Sequence, residues 1–320
     1  MDYSTLGTSD LNISRIGLGT MMIGWRANVE SAQDMILSAL DHGVNFIDTS
    51  VSYSRGKCHE IIGDVFKKTG TRNKFVLATK VGGIANDDDP AHFRGYSKAN
   101  IIRQCELSLK QLKTDVIDLL QLHQPSEEVA VAESLGAIRD LIARGLVRYA
   151  GVCNYSATQM AKALEASKSL DVPRLISNQV PYNLIDRSYE KDVFSAAKSD
   201  HVGIITWGPL CGGLLSDWYT GSESLKPSGR LDSGREREQK LKLLHTDPVK
   251  RLLKNLSAYA EKRHMSIQQL AVSWVLANEN VSCVLLGPTT LTQWIELLST
   301  PHTAIRAEAA QWPSAVSTKK

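Results

Sequence analysis

Short runs of Val, Ile, Leu and Phe alternate along the chain with longer stretches whose apolar residues recur at a spacing near 3.6. The short runs predict strands over Ile16–Thr20, Asn45–Asp48, Phe75–Lys80, Val116–Leu122, Val147–Val152, Leu175–Gln179, Gly203–Thr206 and Val281–Leu286. The amphipathic stretches predict helices over Ser31–His42, Cys58–Lys68, Lys98–Leu112, Val129–Arg144, Thr158–Ser167, Tyr189–Ser199, Val249–Arg263 and Ile267–Ala277, with a short one over Leu291–Leu298 after the last strand. Gly43 and Gly145 sit where helices end, and Ser31 and Ser97 are candidate N-caps.

Eight strands alternating with helices give the count that closes a parallel barrel, so the expected fold class is α/β, a (β/α)8 TIM barrel. A doubly wound sheet would need a nucleotide fingerprint, and Gly17-Leu18-Gly19 lacks the third glycine because Met22 stands in its place. Before the first strand, Tyr3–Ile13 predicts an N-terminal β-hairpin around Gly7-Thr8-Ser9-Asp10, closing the bottom of the barrel. Residues 1–306 are then one domain, and 307–320 form a weakly ordered C-terminal tail. One segment breaks the rhythm: Asp217–Asp247, after the seventh strand, is polar and charged. A loop that long, leaving the C-terminal end of a barrel strand, reads as a lid over the mouth.

Composition narrows the function classes. Apolar residues make up 42% and charged residues 22% of the 320, ordinary values for a globular chain, so disordered and disulfide-scaffold classes drop out. The 37 Lys and Arg against 34 Asp and Glu are spread along the chain, which predicts no nucleic-acid partner. The N-terminus has neither a basic region nor an apolar core, and the longest apolar stretches fall far short of the roughly 20 residues of a membrane span. A cytoplasmic location with no membrane partner is expected. The 5 cysteines are widely separated and the 8 histidines do not pair at ligand spacing, so no disulfide framework and no metal site is expected. No phosphate-binding loop, zinc-protease or nucleophile-elbow motif occurs.

What stands out is polar residues at the ends of apolar strands: Asp48 after NFI, Lys80 after FVLAT, His123 after LLQL and Gln179 after LISN, with Tyr53 five residues past Asp48. In a parallel barrel those ends converge on one mouth. Singly, each has an ordinary structural reading as an ion pair or a core histidine. Together they make a proton-donor site: a lysine ammonium beside a tyrosine lowers the phenol's pKa from its usual value near 10, a carboxylate fixes the lysine, and a histidine orients a substrate oxygen.

Asp48-Thr49-Ser50-Val51-Ser52-Tyr53 resembles the D-T-A-x-x-Y element of the aldo-keto reductases. Ala78-Thr79-Lys80 resembles that family's catalytic-lysine strand, and the LLQLH run ending at His123 its histidine strand. The resemblance extends from the LG-x-S/T-x-L-x-I-S opening at Leu6–Ser14 to Glu296. It implies an enzyme that binds a nicotinamide cofactor without a Rossmann domain and reduces an aldehyde or ketone. Tyr53 would protonate the carbonyl oxygen as general acid, Lys80 and Asp48 would tune it, and His123 would position the substrate.

The same resemblance implies cofactor contacts at Thr20, Met21, Asp48, Asn154 and Gln179, with Cys153 where the family usually has serine. Trp207 stands where an aromatic face meets the nicotinamide, and Gly208-Pro209-Leu210-Cys211-Gly212 resembles the turn that holds pyrophosphate. Gly287, Thr289, Gln293 and Glu296 resemble the adenosine-phosphate segment, with Arg230 as a further charge. NADP(H) is favoured, because a helix N-terminus bearing Thr hydroxyls can still bind a 2′-phosphate, with NAD(H) the alternative because Thr289 stands where many members carry Lys or Arg.

Substrate contacts are expected from Trp25, Lys57, Phe93, Gln124 and Asn183, with Met21 and Met22 beside them, around a small-molecule carbonyl. The W-G-P-L turn, the long seventh loop and SCVLLG resemble the branch of potassium-channel β-subunits and related bacterial reductases. That branch raises one alternative, a cofactor-binding redox-sensing subunit, and the absent basic residue at Thr289 raises another, an NAD-linked aldose dehydrogenase. The intact His123, where channel subunits typically have Asn, favours an enzyme.

Overall fold

The computed structural model describes residues 1–83, 95–169, 171, 173–217 and 237–300. A two-stranded antiparallel hairpin, β1 (Tyr3–Thr5) and β2 (Asn12–Ser14), precedes eight parallel strands. These are β3 (Ile16–Gly19), β4 (Phe46–Asp48), β5 (Val76–Val81), β6 (Ile117–Leu122), β7 (Val147–Cys153), β8 (Leu175–Pro181), β9 (Gly203–Trp207) and β10 (Val281–Leu286). They close in sequence order, β10 pairing with β3 through Val284 and Ile16. The fold is the expected (β/α)8 barrel with its N-terminal hairpin.

The helices are α1 (Val29–Asp41), α2 (Lys57–Thr69), α3 (Lys98–Leu112), α4 (Val131–Ala143), α5 (Ala157–Ser169), α6 (Val193–Ser199), α7 (Arg237–Leu244), α8 (Asp247–Lys262), α9 (Ile267–Leu276) and α10 (Leu291–Leu298). Their apolar faces pack on the outside of the strands in one continuous core. A second core fills the barrel: Leu6, Leu11 and Ile13 of the hairpin meet Phe46, Leu119, Ile176, Ile205 and Leu285 from the strands. Gly203 lets the hairpin in, because a Cβ there would fall 2.6 Å from Leu6 Cδ1. The bottom is closed by apolar burial, so the polar strand ends are left for the opposite mouth.

Local chemistry differs from expectation in a few places. Asn28, not Ser31, caps α1: its backbone is extended and its side chain accepts the Ser31 N–H at 2.8 Å. Ser97 caps α3 as expected, and Gly43 and Gly145 take positive φ just past α1 and α4. α6 starts four residues later than the pattern predicts, residues 189–192 forming turns instead. The polar segment after β9 is not a continuous loop, because α7 forms within it and docks Leu241, Leu243 and Leu244 on the core. Residues 218–236, with most of the expected lid, and the tail lie outside the described residues.

Candidate active site at the barrel mouth

Lys80, buried on β5, organises the mouth. Its ammonium pairs with Asp48 Oδ1, donates to the Thr49 carbonyl at 3.0 Å and donates to Tyr53 Oη at 3.2 Å. An ammonium has three protons, and three acceptors surround this one. The other oxygen of Asp48, Oδ2, accepts from Gln179 Nε2 at 2.8 Å and Gln121 Nε2 at 3.1 Å. The Asp48 carbonyl accepts from Thr20 through both its N–H (3.1 Å) and its hydroxyl (3.0 Å). A buried ion pair costs desolvation unless its remaining valences are met, and here they are.

Strand register explains the convergence. Lys80 stands beside Gln121, Gln121 beside Gly151, and Cys153 beside Gln179. Gly151 leaves room for this layer, since a Cβ there would lie 2.4 Å from Ser177 Oγ and 3.1 Å from Gln121 Cγ. Gln121 is not among the expected site residues, although it lies on β6 two residues before His123, which follows the strand's end, and alternation keeps such side chains on one face. A polar residue at that spacing was the available signal. Cys153 Sγ lies 3.6 Å from Gln121 Oε1, so the thiol in the usual serine's place joins the network.

The electrostatics differ from the expectation for tyrosine. Burial pushes the Tyr53 phenol up to about 12, against the opposing pull of the Lys80 ammonium. The lysine lowers the value as foreseen, but desolvation exceeds it. For Lys80, burial disfavours the ammonium while Asp48, together with Tyr53 and Cys153, more than restores it, so its pKa stays above the ordinary value. Burial, with Lys80 nearby, drives His123 down to about 3. The site therefore holds a cationic lysine, a protonated phenol and a neutral imidazole at neutral pH.

His123 meets the Tyr53 ring edge to face, centroids 6.1 Å apart at 76°, with Nδ1 3.3 Å from Ser50 Oγ. Ser50, another residue not anticipated, is the second residue past Asp48. Asn154, at φ 62°, donates to the His123 carbonyl and accepts from Trp207 Nε1, both at 3.0 Å. The Trp207 indole is thereby fixed with 36% of its surface exposed. Beyond it the 208–213 turn carries positive φ at Gly208, Cys211, Gly212 and Gly213. A Cβ on Gly208 would meet nothing within 4 Å, so the backbone there is open to a close-approaching ligand.

The other predicted residues divide. Met21 and Trp25 are exposed, and the Arg26 guanidinium lies 4.8 Å from the Trp25 ring centre. Met22, expected to line the mouth, is buried instead, its carbonyl accepting three turn N–H groups. Lys57 pairs with Glu60 at 3.2 Å on α2, and Gln124 is exposed. Asn183 is buried, with its Nδ2 on the Gly208 carbonyl and its Oδ1 accepting the Ile185 and Asp186 N–H groups. It shapes the turn from below. Thr289 donates its N–H and hydroxyl to Gln293 Oε1, and Glu296 is half-buried on α10 beyond the exposed Gly287. Phe93 and Arg230 lie outside the described residues.

A barrel whose mouth holds this lysine, aspartate and tyrosine has known counterparts. Residues 15–309 match the model of the aldo/keto reductase family. The chain belongs to that family. Over 298 residues, 92% of this chain and 89% of the relative, it is 31% identical to a probable voltage-gated potassium channel subunit beta of Arabidopsis thaliana. It is 33% identical over 300 residues (92% and 89%) to an uncharacterized oxidoreductase, YrpG, of Bacillus subtilis. It is 32% identical over 292 residues (90% and 85%) to the aldo-keto reductase YhdN of the same organism. As an aldo/keto reductase it is an oxidoreductase of a family that uses nicotinamide cofactors on small carbonyl substrates. Among the described residues no cluster of three potential metal ligands occurs, and no helix is long and apolar enough to cross a membrane.

Proposed function

We propose that this aldo/keto reductase reduces an aldehyde or ketone to an alcohol with NADPH, with Tyr53 as the proton donor. One observation carries the reading: a single buried ammonium, Lys80 Nζ, is shared between Asp48 and the Tyr53 hydroxyl. The residues present fit a nicotinamide dinucleotide. Trp207 offers a fixed, exposed aromatic face; Asn154, bonded to its indole, and Gln179, whose carbonyl accepts the Asn154 N–H, would bind the carboxamide. The turn from Gly208 through Pro209, Leu210 and Gly212, open at Gly208, suits phosphate, Thr20 and Met21 border the same mouth, and Gly287, Thr289, Gln293 and Glu296 would hold the adenosine end. When bound, the cofactor supplies the hydride.

The chain's own residues supply the rest. Tyr53 is protonated throughout the neutral range and donates to the developing alkoxide, and the adjacent ammonium stabilises the phenolate left behind. Neutral His123 directs a substrate oxygen without competing for the proton. Lys80 cannot drift, because Asp48 is held in turn by Gln121, Gln179 and Thr20. In the reverse direction the Tyr53 phenolate is the base, so alcohol oxidation rises with pH towards the phenol's elevated pKa while carbonyl reduction stays level through neutrality.

A second reading, an NAD-linked sugar dehydrogenase, is favoured by the Thr289 contacts, which offer a 2′-phosphate no side-chain cation. The test follows NADPH and NADH consumption against aromatic aldehydes, quinones and sugars, with NAD-driven aldose oxidation in parallel. Tyr53→Phe should bind cofactor normally and lose roughly 10²- to 10⁴-fold in turnover. Substantial residual reduction by that variant would overturn the mechanism. Tight cofactor binding by the wild type without turnover on any carbonyl would point to the sensing subunit instead.

A further inference from the structure

We propose that Lys240, on α7, is a phosphate-binding residue whose ammonium meets the diphosphate of the dinucleotide at the 208–213 turn. The inference rests on the reading above that this turn receives a nicotinamide dinucleotide.

α7 returns the chain from the segment after β9 to the body of the barrel. On its solvent side Lys242 pairs with Glu238 at 2.9 Å, one turn apart and both well exposed. Lys240 is two residues from Lys242, roughly 200° around the helix, and it is half-buried. Its side chain runs over the turn. A Cβ built on Gly212 would lie 2.3 Å from Lys240 Nζ, 3.0 Å from Cε and 3.1 Å from Cδ. The φ of 69° favours glycine at 212, and the end of the lysine is seated on its α-carbon.

The turn beneath is already shaped for an anion. Leu210 (φ −96°, ψ 10°) followed by Cys211 (φ 49°) is a right-handed then left-handed pair, which swings successive N–H groups to one side. Cys211 and Gly213 N–H close the turn on the Gly208 and Leu210 carbonyls, and Asn183 holds the Gly208 carbonyl from the other side. The Leu210 and Gly212 N–H groups stand outside that internal bonding. A helix that brings an ammonium to such a backbone adds a full charge where peptide dipoles supply partial ones, and charge-assisted bonds to phosphate are the stronger kind. The expected effect falls on the diphosphate, common to both cofactors, and not on the 2′-phosphate at the far end.

The test measures dissociation constants of NADPH and NADH by quenching of tryptophan fluorescence, at low and high salt, for the wild type, K240R, K240M and K240Q. Methionine retains the stem that covers Gly212 and removes only the charge, and thermal midpoints confirm folding. K240M and K240Q should weaken both dinucleotides equally, by about tenfold, with K240R close to wild type and the gap narrowing at high salt. Wild-type affinity in the uncharged variants, or a loss confined to NADPH, would overturn the proposal. A wild type that binds neither dinucleotide would instead remove the cofactor reading itself.

Discussion

Gln179 Nε2 lies 2.8 Å from Asp48 Oδ2, so a residue of β8 holds the carboxylate of β4 in place for Lys80. The carboxylate is divided between two jobs: one oxygen faces the cation, the other faces two amides. Gln179→Leu keeps the bulk and removes the donor, leaving Gln121 alone on Oδ2. The expected loss is about 1–3 kcal/mol of stability, the scale of a buried acceptor short of a partner. Urea unfolding of the variant against wild type reads it directly, and an unchanged midpoint would mean the Gln179 amide does not support Asp48.

Lys80→Met makes a harsher demand on the same network. It strands Asp48 in the barrel without its cation, and uncompensated buried charges cost about 3–5 kcal/mol. Adding Asp48→Asn to Lys80→Met removes the stranded charge and should recover part of that loss, although neither protein would turn over. A double-mutant cycle in thermal unfolding measures the coupling. Additive losses would show that the pair is not a unit.

His59 gives the pH dependence a defined sign. It is buried on α2 with Nε2 3.0 Å from Thr79 Oγ1, and burial, with the Lys80 ammonium behind it, drives it down to about 3. In the unfolded chain an imidazole takes its proton near its ordinary 6.5. Between those values the unfolded state binds the extra proton, so stability falls as pH falls, by about 1.4 kcal/mol per pH unit from this residue. Above the unfolded value the effect vanishes. His59→Gln, which does not titrate, should flatten the decline in unfolding free energy between pH 6 and pH 4, read from urea unfolding at each pH, by about 1.4 kcal/mol per pH unit.

Much of this was legible in the chain because the signals were local. Each barrel strand is a β-branched or leucine-rich run bounded by turn residues, and Asp48, Lys80, His123 and Gln179 stood out as polar groups on apolar strands. Gln121 had the same character but sat inside LLQL, where flanking leucines hide a single amide until the register with Lys80 is known. Ser31 and Asn28 are both good caps three residues apart, and only the extended backbone at Asn28 decides between them. The Tyr53 shift depends on how deeply the folded mouth encloses one hydroxyl, which no spacing encodes. α7 is hard to read because REQKLKLL has no clean apolar stripe, although Leu241, Leu243 and Leu244 all meet the core.

Thr289→Arg tests which cofactor the site prefers and where its adenosine end lies. Between β10 and α10 the chain is tied to itself: Thr290 caps α10 by accepting the Gln293 N–H at 3.2 Å, and Gln293 Oε1 accepts the Thr289 N–H at 3.0 Å and hydroxyl at 2.8 Å. The substitution removes only the hydroxyl bond and keeps the N–H one, so stability should change by about 1 kcal/mol or less. What it adds is a guanidinium, whose fork of donors matches a phosphate far better than a hydroxyl does. NADPH should therefore tighten about tenfold while NADH, which lacks the 2′-phosphate, stays where it was. Equal tightening of both would put the new charge against the diphosphate, and no change in either would place residue 289 away from the nucleotide altogether.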